Sequence, residues 1–212
     1  MERILKIVPQ KIEAESFRII EEEFEEQTGI KPGTLDPSQF AIIRRVIHAT
    51  GDFSFAATLR FHPHAIEAGL AAIRSGKSIL TDVNMATAGI SRFLLDPYGG
   101  KIICRVADSD IAALARTKGQ TRSETAIEEG ITEKVGIVAI GNAPTALLAV
   151  IKLIQEGRVH PDLVIGVPVG FVNAEESKDI LYEQDFPYIT SLGRKGGTTV
   201  SVAIVNALLR LA

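Results

Sequence analysis

Residues 40–49 contain three side chains that together could hold an anion and move a proton. At 100° per residue this segment is a helix with one apolar face, which carries Phe40, Ile42, Ile43, Val46, Ile47 and Ala49. Arg44 and Arg45 lie on the other face, four and three residues before His48, so the three side chains can share one patch. Two nearby cations disfavour a protonated imidazole, so we expect His48 to take up a proton once an anionic ligand engages the arginines. A surface helix with solvated arginines and a lone histidine has the same pattern.

A second candidate for anion binding is Arg122, in the segment Gly119-Gln120-Thr121-Arg122-Ser123. The segment predicts the capped start of a helix, where a cation faces the positive end of the helix dipole. This unfavourable position suggests an anionic ligand, although an ordinary helix start with a basic residue also explains the pattern.

Two loops contain small residues that would let backbone N–H groups approach an anion. The loop 141–145, Gly-Asn-Ala-Pro-Thr, joins a predicted strand to a predicted helix, so we expect it to present free N–H groups. Its glycine spacing is not that of a dinucleotide-binding site. The loop 193–198, Gly-Arg-Lys-Gly-Gly-Thr, lacks the Walker spacing. It is predicted either to hold carboxylates with its amides and cations or to be a simple turn.

The sequence argues against a metal site and against a serine hydrolase. His62-Pro63-His64 is the one close pair of histidines, and the chain has neither a CxxC nor an HExxH motif. Outside residues 40–49, His160 is the only other histidine, so we predict no metal ligands. The G-x-S-x-G elbow of serine hydrolases is also missing.

Composition predicts a single globular domain over residues 1–212. Hydrophobic residues make up 46% and charged residues 23%, the balance of a chain with a sizeable core. The net charge of −3 argues against a general nucleic-acid surface, and no apolar run is long enough to span a membrane. The start Met1–Lys6, followed by Pro9 and an acidic helix, is unlike a signal peptide. The single cysteine, Cys104, fits a reducing cytoplasm and is predicted to pack in the interior.

The elements that position these residues follow an alternating pattern. Helices are predicted at 13–27 and from the cap Asp36 to Ala49. Farther along, short apolar runs alternate with helical stretches, and 137–140 and 163–165 are apolar throughout, as strands covered on both faces should be. We therefore predict a doubly wound α/β fold with a mostly parallel sheet and helices on both faces. The predicted strands are 78–82, 101–105, 135–140, 163–167 and 188–191, and helices follow around Met85 and at 108–118, 143–155, 173–183 and 197–209.

Ligands of such sheets bind outside the carboxyl ends of the strands. The predicted order therefore brings several polar or small residues to one edge of the sheet. These are Thr81, Asp82, Gly141, Asn142, Pro168 and Gly193.

Eight short motifs, in this order, cover nearly the whole chain. They are residues 12–17 (IEAESF), 45–50 (RVIHAT), Thr81-Asp82 with Met85, 121–123 (TRS), 141–147 (GNAPTAL), 166–172 (GVPVGFV), 175–178 (EESK) and 193–197 (GRKGG). With these motifs the chain resembles the precorrin-8X / cobalt-precorrin-8 methylmutase family. It departs from the family at Asn173, where members commonly have glycine.

The resemblance implies a doubly wound α/β homodimer that moves a methyl group from C11 to C12 of a corrin precursor. The product would be cobyrinate or hydrogenobyrinate, and no metal or organic cofactor is expected for the chemistry itself. The acid/base histidine of the family falls on His48. The positions that contact substrate in the family match Ser16, Arg45, Arg122 and Asp82.

Two points stay open at the level of the sequence. The segments 192–197 and 203–209 are more similar to the branch of the family that acts on cobalt-precorrin-8, which is slightly favoured over the metal-free branch. A corrinoid carrier without catalytic activity would need the same binding surface, and His48 is what distinguishes the two functions. An NAD-dependent α/β enzyme is a third alternative, although the glycine fingerprint for it is missing.

Overall fold

A computed structural model describes residues 8–212; the start Met1–Lys6, predicted not to be a signal peptide, lies outside this range. The described residues include one six-stranded sheet. Its strands are β1 (Leu59–Phe61), β2 (Ser78–Thr81), β3 (Ile102–Ile103), β4 (Val135–Ile140), β5 (Leu163–Gly166) and β6 (Tyr188–Ser191). Their order across the sheet is β1-β6-β5-β4-β2-β3, and all neighbours are parallel except β1, which runs antiparallel to β6.

Helices cover both faces of this sheet. They are α1 (Ile12–Thr28), α2 (Pro37–Thr50), α3 (Phe55–Thr58), α4 (Ala65–Arg74), α5 (Asn84–Gly89), α6 (Arg92–Leu95), α7 (Ser109–Lys118), α8 (Arg122–Gly130), α9 (Pro144–Gln155), α10 (Ala174–Tyr182) and α11 (Thr198–Leu211). Alternate residues of β4 enter two separate buried clusters, since successive side chains of a strand point to opposite faces. One cluster includes residues of α1, α2, α4 and α11, and the other includes residues of α8, α9 and α10. The predicted single α/β fold is confirmed.

Helix α2 begins and ends where its sequence predicts. The carboxylate of Asp36 accepts hydrogen bonds from the N–H groups of Ser38 and Gln39, at 2.9 and 3.0 Å, and Pro37 occupies the first helical position. The helix ends at Gly51, whose φ of 66° lies in the left-handed region that glycine adopts without steric cost. The apolar face of α2 is buried and packs against α11 and α1, which leaves its charged face toward the surface.

Some elements differ from the prediction. The antiparallel edge strand β1 was missed because its three residues are too short for an alternating pattern, and α4 was not identified. Strand β3 is shorter than predicted, so Cys104 lies beyond its end and is half-buried instead of packed in the interior. In residues 8–212 no helix is both long and apolar enough to cross a bilayer. The cytoplasmic location stays a prediction.

The order of strands reverses at β2, which has β3 on one side and β4 on the other. In doubly wound sheets this reversal opens a crevice at the carboxyl ends of the two central strands. Asp82 directly follows β2, and Gly141 and Asn142 directly follow β4, so the fold brings these predicted rim residues together.

Asn173, at the position where the resemblance leads us to expect glycine, has an unusual backbone conformation. Asn173 has φ 60° and ψ 6°, the left-handed conformation, and is the only residue between 8 and 212 other than glycine with positive φ. Glycine adopts this conformation freely, and asparagine tolerates it better than most residues. The side chain of Asn173 makes no cap hydrogen bond to α10, so the backbone requirement explains the choice of residue.

We expect Asn173→Ala to lower the free energy of unfolding by about 1 kcal/mol, because alanine pays the full steric cost of the left-handed region. Asn173→Gly is the matched control and should be near neutral. Urea unfolding of the three proteins measures both values. Equal stability of the alanine and glycine variants would show that the backbone at this position relaxes.

Candidate active site

The charged face of α2 gathers around one aromatic ring of α1. The guanidinium carbons of Arg44 and Arg45 lie 4.3 and 5.1 Å from the centroid of the Phe17 ring, and the imidazole of His48 meets it edge-on at 5.3 Å. Cations within about 6 Å of an aromatic face are attracted by its quadrupole. The predicted patch therefore forms, with Phe17 at its centre. Phe17 lies at the same helical spacing as Ile20 and Phe24, which are buried in α1, so its contacts with α2 are not evident from the sequence.

Ser16, which the resemblance matches to a position that contacts substrate, contacts His48 itself. The Ser16 hydroxyl and His48 Nδ1 are 2.7 Å apart, a short hydrogen bond between α1 and α2. In a charged imidazole, Nδ1–H donates to the Ser16 oxygen, which leaves Nε2–H available to another group. In a neutral imidazole, Ser16 can either donate or accept. This contact orients the ring and leaves Nε2 as the exchangeable position.

Arg45 is held by a glutamate of α1. Its Nη1 lies 3.0 Å from Glu13 Oε1, and Arg210 of α11 lies 3.6 Å from the same oxygen. Partial burial raises the pKa of Glu13, but the hydrogen bond and charge of Arg45, together with the charge of Arg210, outweigh it and hold that pKa below its ordinary value. Glu13 thus stays ionised and links α1, α2 and α11.

Arg44 is paired in the same way, with Glu21 of α1. Its guanidinium lies between the rings of Phe17 and Phe40, the second at 5.9 Å. The expectation that His48 is neutral without a ligand assumed two unpaired arginines beside the imidazole. In the structure both arginines are paired. Each positive charge next to His48 is balanced by a carboxylate of α1.

An open groove runs along this patch between α2 and α11. It consists of two shallow depressions of about 200 and 140 Å³. The first is lined by Phe17, Ala41, Arg44, Arg45, Ala207, Arg210 and Leu211, and the second by Arg45, His48, Ala49, Thr199, Val202, Ala203 and Asn206. Larger hollows of about 320 to 440 Å³ lie elsewhere, lined by residues preceding β2, β3 and β4 or following α9, away from the candidate groups. The groove is mixed in character, with apolar walls and cations.

The side chain of Asp82 holds a loop inside the fold. It is fully buried, and its carboxylate accepts hydrogen bonds from the backbone N–H groups of Gly141, Asn142 and Ala143, at 3.1, 2.8 and 2.8 Å. Burial raises the pKa of Asp82, whereas these three amides act to lower it. The expected contact of Asp82 with substrate stays a prediction. The expectation of free N–H groups in the loop 141–145 is corrected, because Asp82 occupies three of them.

Arg122 lies on the opposite side of the sheet from His48. It is exposed at the start of α8, where Thr121 and Glu124 form a capping box and the Thr121 hydroxyl bonds that of Thr145, at 2.9 Å. The capped helix start is thus confirmed. Within residues 8–212 the Arg122 side chain has no hydrogen bond or ion pair, and nothing joins it to the groove of α2 and α11. One chain by itself does not bring Arg122 and His48 into contact.

The loop between β6 and α11 is cationic, as predicted, but its charges are paired. Lys195 Nζ lies 2.6 Å from Asp52 Oδ2 and donates to the Ser54 hydroxyl at 3.0 Å. The nearest carboxylate oxygen to Arg194 belongs to Glu175, at 3.6 Å. Asp52 follows the end of α2, so this loop holds the corner beside His48.

The histidines outside the groove do not form a metal site. The rings of His62 and His64 are 5.7 Å apart, and His64 Nδ1 lies 3.8 Å from a carboxylate oxygen of Glu67. Across residues 8–212 no group of three or more His, Cys, Asp or Glu side chains is arranged to hold an ion. Beside the groove of α2 and α11, the imidazole of His48 is oriented by the hydroxyl of Ser16.

Comparisons with known proteins agree with the fold and with the resemblance seen in the sequence motifs. The family model for precorrin-8X methylmutase matches residues 11–211. The cobalt-precorrin-8 methylmutase of Priestia megaterium is 46% identical over 98% of this chain and 90% of its own length, and that of Salmonella typhimurium is 44% identical over 95% and 94%. The crystal structure of precorrin-8x methyl mutase from Thermus thermophilus superposes with a TM-score of 0.84 at 41% identity, covering 95% of both chains. The chain therefore belongs to the precorrin-8X methylmutase family, whose members are isomerases of cobalamin biosynthesis.

Proposed function

We propose that this protein moves a methyl group from C11 to C12 of cobalt-precorrin-8 and so forms cobyrinate. The observation that carries the proposal is the imidazole of His48, fixed by Ser16 at 2.7 Å and placed in a groove with apolar walls and arginines. Precorrin-8X, which would give hydrogenobyrinate, is the second candidate substrate. Cobalt-precorrin-8 is slightly favoured by the similarity of residues 192–197 and 203–209 to that branch and by the names of the relatives from Priestia and Salmonella.

The proposed proton path begins at the charged imidazole. Nδ1–H of His48 donates to Ser16, and Nε2–H, on the other side of the imidazole, can give its proton to the conjugated system of the substrate ring. Protonation draws electrons from the carbons next to the migrating methyl, which shifts within the molecule while the double bonds rearrange. The ring then returns the proton to Nε2. No electrons are gained or lost overall, so this step needs no redox partner.

The arginines of the groove suit the edge of such a substrate, which carries carboxylates. Glu13 uses one N–H donor of Arg45, and the guanidinium has five, so a substrate carboxylate can be added without displacing the glutamate. The apolar wall between the charges suits the face of a large flat ring. Holding the ring in its reactive geometry would lower the barrier further.

A carrier that binds the corrinoid product without reaction would use the same walls and arginines. The two functions differ in what they require of His48. A carrier needs no group that exchanges a proton, whereas the enzyme depends on one. The short hydrogen bond to Ser16 supports the enzyme, because it orients the ring of a side chain that binding alone does not need.

Replacing His48 with Ala should lower the rate of methyl migration in a single turnover by two or more orders of magnitude, within the range of general acid catalysis. Binding of the corrinoid product should survive, since the arginines and apolar walls remain. The change in visible absorption from precursor to corrin reports both quantities.

His64→Ala is the matched control for this experiment, because His64 is exposed and lies outside the groove. A His48 variant that turns over at the wild-type rate would place the proton donor elsewhere. A wild-type protein that binds the ring but leaves it unchanged would establish the carrier.

Arg122→Ala should weaken binding of the corrinoid product about 10- to 150-fold, corresponding to the roughly 1.5–3 kcal/mol of a charged hydrogen bond. Because the Arg122 side chain has no partner among the described residues, folding should be unaffected. Arg116→Ala, an exposed arginine at the end of α7, is the control. Titration followed by visible absorption measures the affinity for the product. Unchanged affinity would show that Arg122 does not bind substrate and is only the first residue of α8.

We also propose that the active unit is a homodimer. The groove beside His48 is shallow, with depressions of about 140 and 200 Å³, whereas sites that enclose a drug-sized ligand span roughly 300–1,000 Å³. Next to it, α5 and α6 expose Met85 and Phe93, the latter at 86%. Asn206 of the groove holds this segment by bonding Gly89 O and Ser91 N. A second copy seated on the exposed segment would add a wall to the groove.

Light scattering at micromolar concentration should give twice the chain mass for the wild type. Phe93→Glu should give single chains, because a carboxylate is costly to bury in an apolar contact, and turnover should fall with it. Ile180→Glu, at an exposed apolar residue of α10, should stay dimeric. A monomeric wild type with full turnover would contradict the proposal.

A further inference from the structure

The loop between β5 and α10 presents apolar side chains to solvent. Val169, Phe171 and Val172 have 49, 84 and 77% of their surface exposed. They follow the carboxyl end of β5, the edge of the sheet where open α/β folds bind ligands. Neighbouring exposed apolar residues of this kind usually mark a binding surface.

The backbone of this loop is held in place, so the exposure follows from the fold. Gly170 N–H donates to Arg194 O at 3.3 Å, and Gly197 N–H donates to Val167 O at 2.7 Å. A Cβ on Gly196 would lie 2.3 Å from Val167 O, so only glycine allows the two loops to approach this closely. Asn173 ends the loop in its left-handed conformation.

Arg194 adds a positive charge to this apolar surface. Its guanidinium carbon lies 5.3 Å from the centroid of the Phe171 ring, within the range of a cation–π contact. Glu175 is its ion-pair partner at 3.6 Å, beyond ordinary hydrogen-bond length, and the arginine side chain is 61% exposed. The guanidinium thus keeps most of its donors for another acceptor.

The loop between β6 and α11, which contains Arg194, is tied to the residues that follow the end of α2, near His48. Lys195, next to Arg194, pairs with Asp52 after the end of α2. From inside the fold, the buried ammonium of Lys178 donates to the Lys195 carbonyl at 2.7 Å. The backbone next to Arg194 is therefore held by contacts on both sides of Lys195.

We propose that Phe171, Val172 and Arg194 form a second substrate contact, in which the apolar pair lies against the corrinoid ring and Arg194 binds one of its edge carboxylates. This inference rests on the proposed function. A ligand that is apolar across its face and anionic at its edge matches a phenyl ring with a guanidinium beside it. Glu175 competes with the ligand for Arg194. When no ligand is bound, Glu175 balances the charge of the arginine.

The test is binding of cobyrinic acid and of its methyl ester, whose edge carboxylates are neutral, followed by visible absorption. Phe171→Ala should weaken binding of both probes about tenfold, because it removes apolar contact. Arg194→Ala should weaken binding of the acid to a similar extent and leave the ester unchanged. Glu175→Gln should tighten binding of the acid several-fold, because it removes the competing carboxylate.

The matched controls are Ile180→Ala, an exposed apolar residue farther along α10, and Arg158→Ala, an exposed arginine paired with Glu156 at 3.2 Å. Both should bind cobyrinic acid as the wild type does. Wild-type affinity in the Phe171 and Arg194 variants would overturn the proposal. So would conversion of Phe171→Ala to single chains in light scattering, which would make Phe171 a subunit contact. A wild-type protein that binds neither probe and leaves the precursor unchanged would instead overturn the proposed function.

Discussion

The ring of Phe17 joins helix α1 to the face of α2 that carries the charged side chains. Arg44, Arg45 and His48 all contact this ring, within 5.3 Å of its centroid. Helix α1 packs against α2, and its position depends on the burial of Ile20 and Phe24 in the core. Four side chains of α1 therefore act on one face of α2 and set the candidate site: an aromatic ring, a serine and two glutamates. A shift of α1 by one helical turn would change all of them together.

The sheet explains why the candidate site lies on a helical face. In most doubly wound folds, the crevice where the strand order reverses is open to a ligand. Here the carboxylate of Asp82 lies at this crevice and accepts hydrogen bonds from three N–H groups of the loop after β4. Each of those groups would cost about 1–3 kcal/mol if buried without a partner. The rim therefore acts as a rigid base that positions the start of α11, whose Thr198 packs against Gly141.

The sequence was sufficient for the architecture and for much of the site. Apolar runs such as 137–140 predict central strands because both faces of a parallel strand are buried, and β4 ends where predicted. His48, Arg44 and Arg45 could be grouped because helical periodicity is local. The contact of Ser16 with His48 joins residues 32 positions apart, and no local pattern predicts its geometry. The spacing of Phe17 with Ile20 and Phe24 is typical of the core side of α1, and no local pattern predicts that its ring also contacts three side chains of α2. The three backbone hydrogen bonds of Asp82 could not be predicted either, because a polar residue after a strand suits a ligand and a backbone loop equally well.

The ammonium of Lys178 affects how the stability of the protein depends on pH. Burial lowers its pKa from 10.5 to about 8, although Glu175 and Asp179 act to raise it. Between those values the unfolded chain binds this proton and the folded chain has released it, so this group makes the protein more stable as pH rises from about 8 to about 10.5. Below pH 8 both states are charged, and the fold carries the full cost of a buried cation whose one hydrogen-bond acceptor in the described structure is the Lys195 carbonyl. At neutral pH the chain thus gives up some stability to keep the loop beside its candidate active site in one position.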